Sequence, residues 1–126
     1  MSKKVLILGG AGFIGFNVAK YLAKNRDYEI TIADKFKKKN RDDEFDALVK
    51  DYHIRLIEAD FSQAEAYDLL DNAYDQVYMM AALVGVDNAN SMPHEVIRIN
   101  TALTLFTLEW IRRSKIGKVV FASTSE

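Results

Sequence analysis

Hydrophobic positions along the chain alternate between short continuous runs and stripes at helical spacing. Val5-Leu6-Ile7-Leu8 is an unbroken apolar run with two β-branched members, the pattern of a short strand covered on both faces. A helix from about Gly12 to Asn25 follows, with Ile14, Val18 and Leu22 recurring every fourth residue and Ala19 and Ala23 beside them. That stripe is expected to face the sheet, while Lys20 and Lys24 stay wet. Asn25-Arg26-Asp27 reads as a turn, and Glu29 to Ala33 as a second strand ending on Asp34. Phe45, Leu48, Val49 and Tyr52 space a short amphipathic helix, residues 53–58 alternate as a third strand, and Glu65–Ala73 reads as a short helix with Leu69 and Leu70 inward. Residues 76–82 form the fourth strand. Leu83 to Met92 is a polar loop containing Gly85. Pro93 opens a long helix to about Ser114, with Ile99, Leu103, Phe106 and Trp110 as its buried stripe. Residues 118–122 are the fifth strand and run into Ser123-Thr124-Ser125-Glu126. Strands alternating with helices, joined by right-handed crossovers, predict an α/β fold: a doubly wound parallel sheet in the order 3-2-1-4-5.

The turn after the first strand carries chemistry. Gly9 permits a tight turn, Gly12 lets backbone N–H groups approach a pyrophosphate, and Gly15 lets the helix lie close to the sheet. The helix start around Phe13 and Ile14 offers unpaired N–H donors and a positive dipole end. Glycines of this kind also make ordinary turns. Here a strand precedes them, a helix follows, and an acid stands about twenty residues further on, the context of a Rossmann-like dinucleotide site. That acid is Asp34, at the tip of the second strand, where a carboxylate accepts both hydroxyls of an adenosine ribose and repels a 2′-phosphate. Its plainer reading is a solvated loop acid. Lys35, Lys37, Lys38 and Lys39 work the other way, since a cation there can pair with a 2′-phosphate; NAD is nevertheless the expected cofactor. The basic and then acidic stretch from Lys35 to Glu44 reads as a hydrated loop rather than an anion-attracting rim. Ala81 and Ala82 leave room for a ligand across the end of the fourth strand. Asp60 and Ser62 are both suited to cap the next helix.

Composition narrows the field further. The 126 residues suffice for one domain, here 1–126, and 49% hydrophobic with 28% charged residues is ordinary for a globular protein. A net charge of −1 supplies no general attraction to nucleic acid or to an anionic membrane surface, so neither is an expected partner. With no cysteine, and only His53 and His94 far apart, disulfides, thiolate chemistry and a histidine metal site are excluded or improbable. No apolar run reaches transmembrane length, and Met-Ser-Lys-Lys leads directly into the first strand; the cytoplasm is the expected location.

Gly9-Gly10-Ala11-Gly12-Phe13-Ile14-Gly15 resembles the nucleotide loop of extended short-chain dehydrogenases/reductases, which include the NAD-dependent epimerases, dehydratases and decarboxylases of nucleotide sugars. The resemblance implies NAD as cofactor and a nucleotide sugar as substrate. It implies that Asp60 takes the exocyclic amine of adenine while Phe61 covers the ring, and that Ala81 and Ala82 line the cofactor cleft. By the same likeness Asn100 braces the strands of the active site, and Thr124 hydrogen-bonds a substrate oxygen as the catalytic hydroxyl. Leu103 and Phe106 stand where many members have Gly and Asn. The family's Tyr-x-x-x-Lys pair, whose Tyr is the acid/base, has no counterpart: no Tyr in this chain is followed by Lys four residues later. Two readings follow. One is the cofactor-binding part of a nucleotide-sugar epimerase, dehydratase or decarboxylase, inactive alone; the other is a non-catalytic dinucleotide-binding or interaction module. In either, the apolar fifth strand would lie exposed at a sheet edge, and self-association into a homo-oligomer is expected.

Overall fold

Val5, Leu6, Ile7 and Leu8 expose no surface at all, because they run through the middle of the sheet with helices over both faces. The structure, a computed structural model, describes residues 2–25, 27–36, 42–81 and 90–122. β1 (Lys3–Leu8) pairs in parallel with β2 (Tyr28–Asp34) on one side and with β4 (Ala73–Met79) on the other. β3 (Arg55–Glu58) lies outside β2, and β5 (Lys115–Phe121) lies outside β4. The order is β3-β2-β1-β4-β5, all parallel, as the alternation of elements predicts.

Successive side chains of a strand point to opposite faces, so the run in β1 feeds two cores. Leu6 and Leu8 join Ala33, Ile57, Val77 and Met79 beneath Tyr67, Leu103 and Trp110. Val5 and Ile7 join Ile30 and Ile32 beneath Ala19, Leu22, Phe45 and Leu48. Each fully buried side chain of this size is worth roughly 1.5–3 kcal/mol relative to its exposed state.

α1 (Phe13–Ala23) buries Gly15, Ala19, Leu22 and Ala23. The expected stripe was one position out of phase at its start, since Ile14 is 62% exposed and Val18 only half-buried. The cause is Gly15, whose missing side chain lets the first turn press onto the Gly9-Gly10 turn and thereby sets the rotation of the helix. α2 (Asp43–Tyr52) is capped by Asp42, whose carboxylate accepts from the N–H of Phe45 at 2.9 Å. It buries Phe45 and Leu48 but leaves Tyr52 largely exposed.

The segment expected as a short helix with Leu69 inward is a 3-10 helix over Ala64–Leu69. At three residues per turn, Tyr67 and Leu70 fall on the same side, and both are buried, whereas Leu69 is 53% exposed. α3 (Pro93–Arg112) carries Leu103, Thr107 and Trp110 on its buried face, with Ile99 and Phe106 half-buried beside them. Leu103 and Phe106, the two departures from the family pattern, thus help fill the core around Tyr67. β5 begins three residues earlier than expected and forms the outer edge of the sheet among the described residues, with Val119 and Phe121 exposed. Among the described residues, no helix is long and apolar enough to cross a membrane.

Candidate cofactor-binding site

Hydrogen bonding continues past the strand ends and lines up the predicted residues along the carboxyl edge of the sheet. The N–H of Gly9 donates to the carbonyl of Ala33, that of Met80 to Leu8, and that of Ala59 to Asp34. Across the edge, Asp60, Asp34, the glycine turn and Ala81 therefore follow one another at adjacent strands. With strands about 4.8 Å apart, that row spans roughly 14 Å.

Gly9 has φ +87°, a left-handed conformation, and a Cβ there would also meet the backbone N of Ala81 at 2.6 Å. At Gly15 a Cβ would collide with the carbonyl oxygen of Gly9. At Gly12 it would touch only that same oxygen, at 3.5 Å, so space stands open in front of the loop. Gly12 is the N-cap of α1, and no side chain caps the helix. The first-turn donors at Phe13 and Ile14 consequently face solvent beside an open loop; Phe13 is 85% exposed. At Gly10 a Cβ would meet the side chain of Ile32 at 2.6 Å, so the lack of a side chain there accommodates Ile32.

Asp34 ends β2 and ties down this loop. Its Oδ2 accepts from the N–H of Ala11 at 3.1 Å, and its Oδ1 from the N–H of Phe36 at 3.0 Å. A carboxylate offers about four lone-pair directions, so two acceptor positions remain for a diol. Phe36 itself takes φ 55°, turning the chain away from the strand tip with its ring packed on Phe45 at 5.9 Å between centroids.

Asp60 stands at the end of β3, and it, not Ser62, closes the next turn. Its Oδ1 accepts from the N–H of Ser62 at 3.0 Å and from the Ser62 hydroxyl at 2.6 Å. Its Oδ2 lies 3.3 Å from Nζ of Lys35. Partial burial pushes the Asp60 carboxyl up, but the Ser62 hydrogen bonds and Lys35 more than offset this, holding it below the usual carboxylate range. Lys35 is thereby engaged with Asp60. The ring of Phe61 is only 4% exposed and stacks edge-on against Tyr67, with centroids 5.1 Å apart. It therefore presents no face to a ligand, contrary to the expectation that it covers the adenine.

Ala81 is half-buried against Gly9. Asn100 is half-buried in α3, one turn before Leu103. Ala82, Lys37, Lys38, Lys39, Gly85 and the catalytic candidate Thr124 lie outside the described residues. Among the described residues, no group of three or more His, Asp or Glu is placed to hold a metal ion. The features that sequence reasoning missed are the Lys35–Asp60 pair and the left-handed turn at Phe36. The only signal for the first was the charge of the two residues at neighbouring strand ends.

The model of the NAD dependent epimerase/dehydratase family matches residues 5–126, and the chain belongs to that family. Over 126 residues it is 36% identical to a UDP-N-acetyl-alpha-D-glucosaminuronate decarboxylase of Bacillus cytotoxicus, covering 100% of this chain and 38% of the relative. It is 33% identical to a probable UDP-arabinose 4-epimerase 3 of Arabidopsis thaliana, covering 95% of this chain and 30% of that protein. Among solved structures, the UDP-Glc/GlcNAc 4-epimerase of Campylobacter jejuni superposes with a TM-score of 0.85 at 25% identity, over 98% of this chain and 38% of the other. Bordetella bronchiseptica WbmF, solved in complex with NAD+ and UDP, gives a TM-score of 0.76 at 25% identity, over 95% of this chain and 35% of that one. The chain thus spans about a third of the relatives' length.

Proposed function

We propose that these 126 residues form the NAD-binding part of an enzyme that epimerises, dehydrates or decarboxylates a nucleotide sugar by transient oxidation of the sugar. The observation that carries the reading is the bond between the N–H of Ala11 and the Asp34 carboxylate, which sets an acceptor for a diol beside the uncapped start of α1. Phosphate oxygens fit the donors at Phe13 and Ile14, and the open space at Gly12 admits them. Asp34 accepts the ribose hydroxyls, and its negative charge disfavours a 2′-phosphate. Asp60 accepts the adenine amine, with the N–H of Phe61 beside it. The pairing of Lys35 with Asp60 supports NAD over NADP, since it occupies the cation next to the ribose end.

Held by the glycine turn, Asp34 and Asp60, NAD would supply the hydride acceptor for the transient oxidation of the sugar. Thr124, by family resemblance, donates a hydrogen bond to a substrate oxygen. A hydroxyl with an ordinary pKa does not accept a proton near neutral pH, and no Tyr-x-x-x-Lys pair occurs in the 126 residues, so this chain by itself binds cofactor without turnover.

Calorimetric titration with NAD and NADP tests the reading. The parent chain should prefer NAD, and Asp34→Ala should weaken NAD about tenfold or more while narrowing the preference, as for the loss of a charged hydrogen bond. Equal affinities in the parent chain would overturn the role of Asp34. Turnover of a UDP- or dTDP-sugar by the 126 residues would overturn the inactivity.

A further inference from the structure

Tyr67 places a hydroxyl in the core beneath α3, and that group reaches the adenine end of the proposed site. The residue is only 2% exposed. Its hydroxyl lies 2.9 Å from the carbonyl oxygen of Phe61, 2.9 Å from Oγ1 of Thr107 and 3.3 Å from the carbonyl oxygen of Leu103. The carbonyls of Phe61 and Leu103 can only accept, so the phenol donates to the nearer one at Phe61; between the phenol and Thr107 either hydroxyl can be the donor, and Thr107 also donates to Sδ of Met79 at 3.7 Å. Thr107 and Leu103 belong to α3 and Phe61 to the turn after β3, so a single oxygen joins the long helix to that turn. Above it, the carbonyl of Asp60 accepts from the N–H of Gln63 at 3.0 Å and the Asp60 carboxylate grips Ser62. The turn is closed from within by Asp60 and Ser62 and anchored from beneath by Tyr67. A rotation of the Phe61–Ser62 peptide, which would swing the N–H of Ser62 off the Asp60 carboxylate and so re-aim Asp60, would break the bond to Tyr67.

We propose that Tyr67 is a positioning residue of the cofactor site, its hydroxyl fixing the Asp60–Phe61 turn to α3 in the orientation that reads the adenine amine. This rests on the assignment of Asp60 to the adenine in the proposed function. A phenylalanine fills the same core volume without making the bond, so the role belongs to the hydroxyl.

The test compares NAD with nicotinamide hypoxanthine dinucleotide, which carries an oxygen where adenine has its amine. By calorimetry the parent chain should prefer NAD by about tenfold, the worth of a hydrogen bond to a carboxylate. In Tyr67→Phe that preference should shrink by about fivefold, the worth of one neutral hydrogen bond, while the NAD-to-NADP ratio read by Asp34 stays as in the parent. A general loss of structure would weaken all three ligands together and leave the ratios alone. Thr107→Val, which removes the partner that orients the phenol, should move the same ratio in the same direction and serves if Tyr67→Phe fails to fold. An unchanged preference in a folded Tyr67→Phe overturns the positioning role and leaves the proposed function standing. A parent chain that binds NAD but does not distinguish the two bases overturns the role of Asp60 and this inference with it. A parent chain that binds no dinucleotide overturns the proposed function.

Discussion

Nζ of Lys35 and Oδ2 of Asp60 stand 3.3 Å apart, linking the residue after β2 to the residue that closes the turn after β3. Both side chains remain partly exposed, so the pair contributes little to stability in water. Its effect is on charge placement. The Ser62 hydrogen bonds depress the Asp60 titration more than Lys35 does. In carboxyl-detected NMR, Ser62→Ala and Lys35→Met should each raise the Asp60 pKa, the first by removing the hydroxyl bond alone because the N–H of Ser62 stays in place. A Lys35→Met variant whose Asp60 titrates as in the parent would show that the pair does not persist in solution.

Glycine substitutions should separate folding from binding. Gly12→Ala adds a Cβ whose nearest neighbour is 3.5 Å away, so thermal stability should stay close to the parent while NAD affinity falls. Gly15→Ala drives a methyl into the Gly9 carbonyl and should cost about 1–3 kcal/mol, the usual range for overpacking. Urea melts paired with calorimetry distinguish the two. A Gly12→Ala chain that binds NAD like the parent would remove the phosphates from that face of the loop.

Acid and alkali should act on the opposite end of the sheet. Lys4 Nζ lies 2.7 Å from Asp71 Oδ2, which Arg55 also approaches at 3.4 Å. The hydrogen bond from Lys4, aided by both positive charges and opposed by burial, lowers the Asp71 pKa; the same bond raises that of Lys4. A depressed carboxylate stabilises above its unfolded value of about 3.9 and loses that contribution as pH falls through the folded value. A raised lysine stabilises fully below about 10.4 and loses its contribution as pH rises through the folded value. Exposure of both side chains keeps the effect small. Lys4→Met should shift the acid unfolding midpoint to higher pH and flatten the alkaline loss. An unmoved acid midpoint would assign the acid response to other carboxylates.

The edge of β5 leads to a prediction about association. Val119 is 41% and Phe121 55% exposed on a strand whose outer side has no partner among the described residues. Sedimentation velocity on the 126-residue chain should show association that grows with concentration, and Val119→Lys should suppress it. A parent chain that stays monomeric from micromolar to millimolar concentration would contradict this.

What could be read from the sequence follows the range of the forces involved. Asp34 and the glycine turn were legible because the strand, turn, helix and acid that define them lie within one short stretch. The sheet order was legible because strand and helix signals alternate along the chain and the right-handed crossover rule leaves few orders open. Leu69 was misplaced because nothing local distinguishes an α-helix from a 3-10 helix there; the choice falls to Tyr67, whose hydroxyl finds its partners on α3. Ile14 was misplaced because the rotation of α1 is set by contact with the Gly9-Gly10 turn rather than by its own periodicity. The pairing of Lys35 with Asp60 and the burial of Phe61 depend on segments brought together only by the finished sheet. A single-chain pattern contains no term for them.

The placing of β1 between β2 and β4 also governs how this chain must be made. β1 leaves the ribosome before β2 and β4, yet the N–H of Lys4 finds the carboxylate of Asp75 71 residues later. β2 covers one side of β1 early; the other side waits until residues 73–79 have been synthesised. At about 5–20 residues per second that delay is on the order of seconds. During it, the most apolar strand of the protein carries a row of unsatisfied backbone groups. Mispairing is therefore a hazard of the nascent polypeptide more than of the finished domain, and a slowed translation rate between β2 and β4 would prolong it.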